Sequence, residues 1–175
     1  MNKVKKINIL KLFAIFVSLI LLNVCMSVSA KSKYQRPSLP LASATIEGMR
    51  KDNKGFLSVD ETLSIVTIDG QYVAGNRGAK YSDKIPIYSG LHTVEVLYRH
   101  PGFLVGSAAV KFYAADFTEY QFKFDLPHHP KQAELDDYNR THGTNFDYDT
   151  LWGVVWVEKL GTGAILSRAI MPLIP

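Results

Sequence analysis

Glu119-Tyr120-Gln121-Phe122-Lys123-Phe124-Asp125-Leu126 decides the fold class. Apolar or aromatic residues hold every even position, and polar or charged residues every odd one. A period of two without exception belongs to a strand with one face in a core and the other in water. The same reading extends outward in both directions. Residues 152–157 are nearly all apolar and predict a central strand. Residues 164–171 form its partner after the hairpin-type loop Gly161-Thr162-Gly163. Upstream, residues 108–114 place Val110 and Phe112 on one face with Lys111 and Tyr113 opposite. Residues 91–98 align His92, Val94, Val96 and Tyr98. The short stretch 85–88 contains Pro86, which fits only an edge or a bulge. Residues 63–68 stop at the turn signal Asp69-Gly70, and 43–49 is a further short candidate. Polar or glycine-rich loops fall at 51–55, at 75–78 and at Pro101-Gly102. The expectation is an all-β chain: a single antiparallel β-sandwich of about seven strands, with one long loop able to hold a short helix at 131–140. Pro130 suits the first turn of that helix, and Gly143 lies a little beyond its end.

The N-terminus is of another kind. Residues 1–30 carry Lys3, Lys5, Lys6 and Lys11 and no acid, then an apolar run at 12–24, then Val28-Ser29-Ala30. This three-part order is that of a secretory signal peptide. The run is short for the ~20 residues a membrane span needs, so cleavage after Ala30 and no span after processing are expected. Cys25, the single cysteine, lies inside this leader. Lipidation there is disfavoured by Val24, because a lipobox has a small residue before its cysteine. Removing the leader leaves 16 of the 20 Lys and Arg residues against 16 Asp and Glu. The mature chain is therefore neutral, and its charge gives no support to nucleic-acid binding. The organisation expected is a leader at 1–30, a tether at 31–41 broken by Pro37 and Pro40, and one β domain at 42–175.

Ile65-Val66-Thr67-Ile68-Asp69-Gly70, followed by Ile85-Pro86-Ile87-Tyr88-Ser89-Gly90-Leu91-His92-Thr93-Val94-Glu95-Val96, resembles PEGA-like modules and related small β-sandwiches of bacterial envelopes. The shared elements are a strand, Asp-Gly, a loop, then Gly-x-His opening an alternating strand. They cover about a third of the mature chain. The Pro-Glu-Gly-Ala signature itself is replaced by Tyr88-Ser89-Gly90-Leu91. The resemblance implies an extracytoplasmic β fold and no catalytic residue.

Candidate chemistry gathers at 127–150, which is long for a loop and therefore functional or mobile. His128, His129 and His142 stand there among Glu134, Asp136, Asp137, Asp147 and Asp149 and are candidate ligands for a divalent metal. Their spacing matches no compact motif, however, and no cofactor is expected. A glycosidase-like carboxylate pair among the four aspartates is a minor alternative. Nucleophilic catalysis lacks a cysteine in the mature chain and a Gly-x-Ser-x-Gly elbow. Gly75-Asn76-Arg77-Gly78 lacks the residues of a phosphate loop. His92 is expected to be half-buried and bonded to backbone. Asn139-Arg140-Thr141 fits a glycosylation acceptor only by chance. Tyr138, Phe146, Tyr148 and Trp152 either contact a ligand or cap the edge of the domain. The function expected is a non-catalytic envelope, periplasmic or secreted module binding a protein or a cell-surface polymer through those aromatics. The alternative is a metal-dependent or hydrolytic activity sited at 127–150.

Overall fold

The computed structural model describes residues 32–37, 44–52, 60–73, 79–100 and 104–175. The leader with Cys25 and Ala30, the remainder of the tether, and the loops at 53–59, 74–78 and 101–103 lie outside the described residues. Ten strands are present among those described: β1 (Ala44–Glu47), β2 (Met49–Lys51), β3 (Glu61–Ile68), β4 (Gln71–Tyr72), β5 (Ile85–Ile87), β6 (Gly90–His100), β7 (Leu104–Ala114), β8 (Thr118–His128), β9 (Trp152–Lys159) and β10 (Ala164–Ile174). One helix, α1 (Gln132–His142), interrupts them between β8 and β9.

The all-β expectation holds, but the architecture differs from a seven-strand antiparallel sandwich. The strands form one hydrogen-bonded sheet in the order β2-β3-β6-β7-β10-β9-β8-β1-β5, with β4 on β3, and β1 runs parallel to β8. The sheet is curled into a half-barrel. β10 pairs with β9 along most of its length, while its last residues, Leu173 and Ile174, pair with Gly106 and Val105 of β7. At the other side β1 and β2 are separated only by Gly48, and they pair with different halves of the sheet. A Cβ at Gly48 would lie 2.1 Å from the Leu63 carbonyl oxygen, so only glycine fits this corner. Such strand-borne corners carry one sheet from layer to layer. Alternation in sequence reports which side chains are buried. It does not report which strand pairs with which.

The curl brings β8 against β6 and β7. Phe112 meets Tyr120 edge-on at 5.2 Å and Phe122 at 6.5 Å, and Tyr98 meets Phe124 at 5.1 Å. Tyr120, Phe122 and Phe124 are buried as their alternation requires. Leu126, expected in the same row, is only partly buried, beside a register shift between Asp125 and His128. Lys123, expected in water, is half-buried, because it lies opposite Trp156 and its amine is 3.7 Å from Glu158. β9 is central as predicted, and β5, with Pro86, lies at an end of the strand order.

Two features of the N-terminal half lock it together. Asp69 and Gly70 have φ of 51° and 76° and close a two-residue hairpin between β3 and β4. The Asp69 carboxylate accepts the Thr93 amide (2.9 Å) and faces His92 Nδ1 (2.7 Å), while His92 Nε2 faces the Tyr88 carbonyl (2.9 Å). The Asp-Gly and Gly-x-His elements therefore form a clasp between two turns. His92, expected to be half-buried, is buried; it is bonded to one backbone group, as expected, and to Asp69 in addition. The start of the expected tether is not free. The Tyr34 amide donates to the Tyr72 carbonyl (2.7 Å), and the Tyr72 amide donates to Ser32 (3.0 Å). Tyr34 joins the core, with its hydroxyl on the Pro86 carbonyl at 3.2 Å.

Phe122→Ala is expected to cost about 3–5 kcal/mol in urea unfolding, as for a core aromatic. Lys123→Ala, with a long and partly solvated ion pair, should cost at most about 1 kcal/mol. Equal costs would contradict the inward and outward assignment of β8. Burial also raises Tyr34 and Tyr98 to a pKa of about 12 each, with nearby Asp69 and Glu61 adding to it respectively. A raised value favours the neutral phenol. The resulting stability is complete below the ordinary tyrosine value of about 10 and is lost as pH rises toward 12. Alkaline unfolding should therefore fall in that window, and Tyr34→Phe should reduce its pH dependence.

Candidate functional site

The segment 127–150 is folded rather than an open loop. Lys131 precedes α1 with extended backbone, and the Glu134 carboxylate accepts the Lys131 amide at 2.9 Å, one half of a capping box. Gly143 closes the helix in the left-handed conformation at φ 65°. Arg140 and His142 lie in the last turn, where positive charge suits the helix dipole. The helix runs two residues beyond the Arg140 expected from sequence.

The helix covers Trp152, which pairs with His128 and Pro172 on neighbouring strands and is 1 % exposed. Tyr138 and Phe146 meet the indole edge-on at 5.2 and 5.8 Å, and His142 stacks on Tyr138 at 4.1 Å. The indole N–H donates to the Asp147 carbonyl at 3.0 Å. Leu135 is buried on the same helix. Three of the four predicted aromatics are thus brought together, as packing. Trp152 cannot touch a ligand, and Tyr138 and Phe146 are half-buried. Tyr148 stands apart and exposed, with its hydroxyl donating to Gln132 Oε1 at 2.6 Å. Asn139 is consumed locally. Its amide group donates to the Phe146 carbonyl (2.8 Å), and its oxygen accepts the Phe146 amide (2.9 Å) and the Thr144 hydroxyl (3.0 Å).

The histidines do not converge. His128 is half-buried, His129 is exposed, and His142 Nδ1 lies 2.9 Å from the Tyr138 carbonyl. Among the described residues, no three of His, Cys, Asp and Glu are grouped to hold a metal ion. The aspartates have separate local partners: Asp136 with Gln132 (2.7 Å), Asp137 with Arg140, and Asp147 with the amides of Asp149 and Thr150.

Glu134 fastens the helix to the sheet. Besides the Lys131 amide, it accepts Arg168 of β10 at 2.7 Å, and His128 Nε2 lies 3.8 Å away. The Lys131 hydrogen bond, with Arg168 and His128 adding, holds its carboxyl below the usual range despite partial burial. Beside this anchor, a cleft of about 350 Å³ opens between α1 and the sheet, walled by Lys111, Tyr138, Thr141, His142, Ser167 and Arg168. A second, of about 320 Å³, lies beside Glu95, Leu97 and Ser107, and Tyr138 and His142 line both. Of the cleft's walls, the sequence singled out Tyr138 and His142 as site candidates and missed Lys111, Thr141, Ser167 and Arg168. Lys111, Ser167 and Arg168 lie on β7 and β10, and nothing in the sequence tells which strands run beneath the helix.

Neither a known protein family, nor a curated protein, nor a solved structure matches the chain.

The Glu134 anchor makes docking of α1 acid-sensitive. A lowered carboxyl pKa contributes stability above the usual value of about 4.3 and loses it as pH falls through the lowered value. Glu134→Gln should destabilise by about 1 kcal/mol at neutral pH, since its partners are partly solvated, and should flatten the acid limb of the stability profile. Replacing 131–145 with a Gly-Ser linker should lower the melting temperature by several degrees, because Trp152 loses its cover. Unchanged melting would mean that the helix is not part of the fold.

Proposed function

We propose that the chain is an exported, non-catalytic module of the envelope, the periplasm or the secreted fraction, and that it binds a protein or a cell-surface polymer in the cleft beside α1. The observation that carries this reading is the construction of the cleft. A helix with its own small aromatic core is fixed onto the outer face of the sheet, and this leaves a mixed lining of hydroxyls, a lysine and a stacked Tyr138–His142 pair. Such mixed linings, with charged, hydroxyl and aromatic groups held on a rigid scaffold, suit recognition. Tyr148 is exposed on the loop that follows, outside the lining of the cleft. Export is supported by the three-part leader. A kinship with PEGA-like modules rests on the sequence resemblance at 65–96 alone. The hydrolytic or metal-dependent alternative has no observation in its favour among the described residues.

The experiment is co-sedimentation of the exported chain with purified envelope polymer, and separately with solubilised envelope proteins, after mass spectrometry has located its N-terminus. An N-terminus at Lys31 and binding to one fraction are expected. Lys111→Glu and Thr141→Arg should each weaken binding at least tenfold with unchanged melting. Full binding by both variants, or no binding to either fraction, would overturn the proposal.

A further inference from the structure

β7 is open along one edge. β6 pairs with it over all eleven residues, from Leu104 to Ala114, without a register shift. On the other side β10 pairs with it only through Leu173 and Ile174, opposite Gly106 and Val105. From Ala108 to Ala114 no strand pairs with this edge among the described residues. Every second residue of a strand directs its N–H and C=O to the same side, so a row of backbone groups outside any ladder faces the cleft beside α1. Ala108, Ala109 and Lys111 of β7 line that cleft, with Ser167, Arg168 and Ala169 of β10. The two alanines carry only a methyl group, which leaves the backbone bare in the middle of the cleft. An exposed edge of this length is ordinarily blunted by proline, a bulge or several charges. Here the open stretch carries a single lysine, and α1 stands over it.

We propose that this edge binds an extended, acidic peptide segment of a partner protein, which adds to β7 as a further strand beside α1. This rests on the cleft being a recognition site, and it takes a polypeptide rather than a surface polymer as the occupant. Three observations select it. The first is the backbone row. Donors and acceptors repeated at strand spacing are complementary to another extended main chain. The second is charge. The acids of the cleft wall are already engaged, Glu134 by Arg168 and the Lys131 amide, and Asp137 by Arg140. Lys111 has no ion-pair partner among the described residues, and its neighbour across the β6 pair is the uncharged Thr93. It therefore offers a free positive charge to a carboxylate on the incoming strand. The third is room. With Tyr138, Thr141 and His142 walling the edge, the space left is about 350 Å³. A single extended chain suits that space. Symmetric pairing of two β7 edges would instead bring two copies of α1 and two of Lys111 together.

The test uses the exported chain, with displayed random dodecapeptides as the probe. Selected peptides should carry Asp or Glu. N-methylation at every second backbone position of a selected peptide should weaken binding about tenfold, as for a lost main-chain hydrogen bond, while the intervening positions tolerate it. Amide exchange at every second residue from Ala108 to Ala114 should slow when the peptide binds. Lys111→Glu should turn the selection from acidic to basic peptides with unchanged melting. Peptide binding indifferent to N-methylation, or selection that ignores the sign of residue 111, would overturn the proposal. So would the absence of peptide binding. If the chain then still sediments with envelope polymer, the peptide assignment falls and the cleft remains a recognition site; if it sediments with neither fraction, both readings fall. Self-association that protects the same amides would give the edge to a second copy of the chain and overturn the proposal as well.

Discussion

The closure of β8 onto β6 and β7 is the contact on which the rest of the molecule depends. Phe112 reaches both Tyr120 and Phe122, and Tyr98 reaches Phe124, across a sheet in which β7 and β8 are separated by β10 and β9. Those strands can only be neighbours in space if the sheet curls. Curling fixes an inside and an outside for every strand, and the alternation of β9 then leaves no choice for Trp152. Val155 and Val157 are in the central core, so the indole, three positions before Val155 and hence of opposite parity, falls on the outer face. A tryptophan there needs a cover, and α1 with Phe146 supplies it. The helix, its cleft and its anchoring glutamate follow from the parity of one strand.

How much of this was legible depends on the range of the interaction that decides each feature. The inward residues of β6, β7 and β8 could be read because alternation is local. So could the edge position of Pro86, since a missing amide forbids a central strand wherever the strand lies. The helix was legible through Pro130 and Gly143. The curl was not, because it is set by pairings such as Leu173 with Gly106 that link distant parts of the chain. Nor was the docking of Tyr34. One buried tyrosine between Lys33 and Arg36, just before Pro37, has no periodicity to report, and the segment reads as a spacer. At the site, Tyr138, Phe146 and Trp152 were found as a cluster, but their composition suits contact and packing equally. Only the burial of Trp152 separates the two.

The clasp at Asp69 shows how a short sequence pattern acquires physical meaning. Asp69 needs φ above zero for its hairpin, which aspartate tolerates better than most residues. In that position its carboxylate is free to take both the Thr93 amide and the His92 ring. The other ring nitrogen faces the Tyr88 carbonyl. Both of these partners are acceptors, so the two ring bonds form together only when each nitrogen carries a proton. The motif is thus a structural tie between two turns.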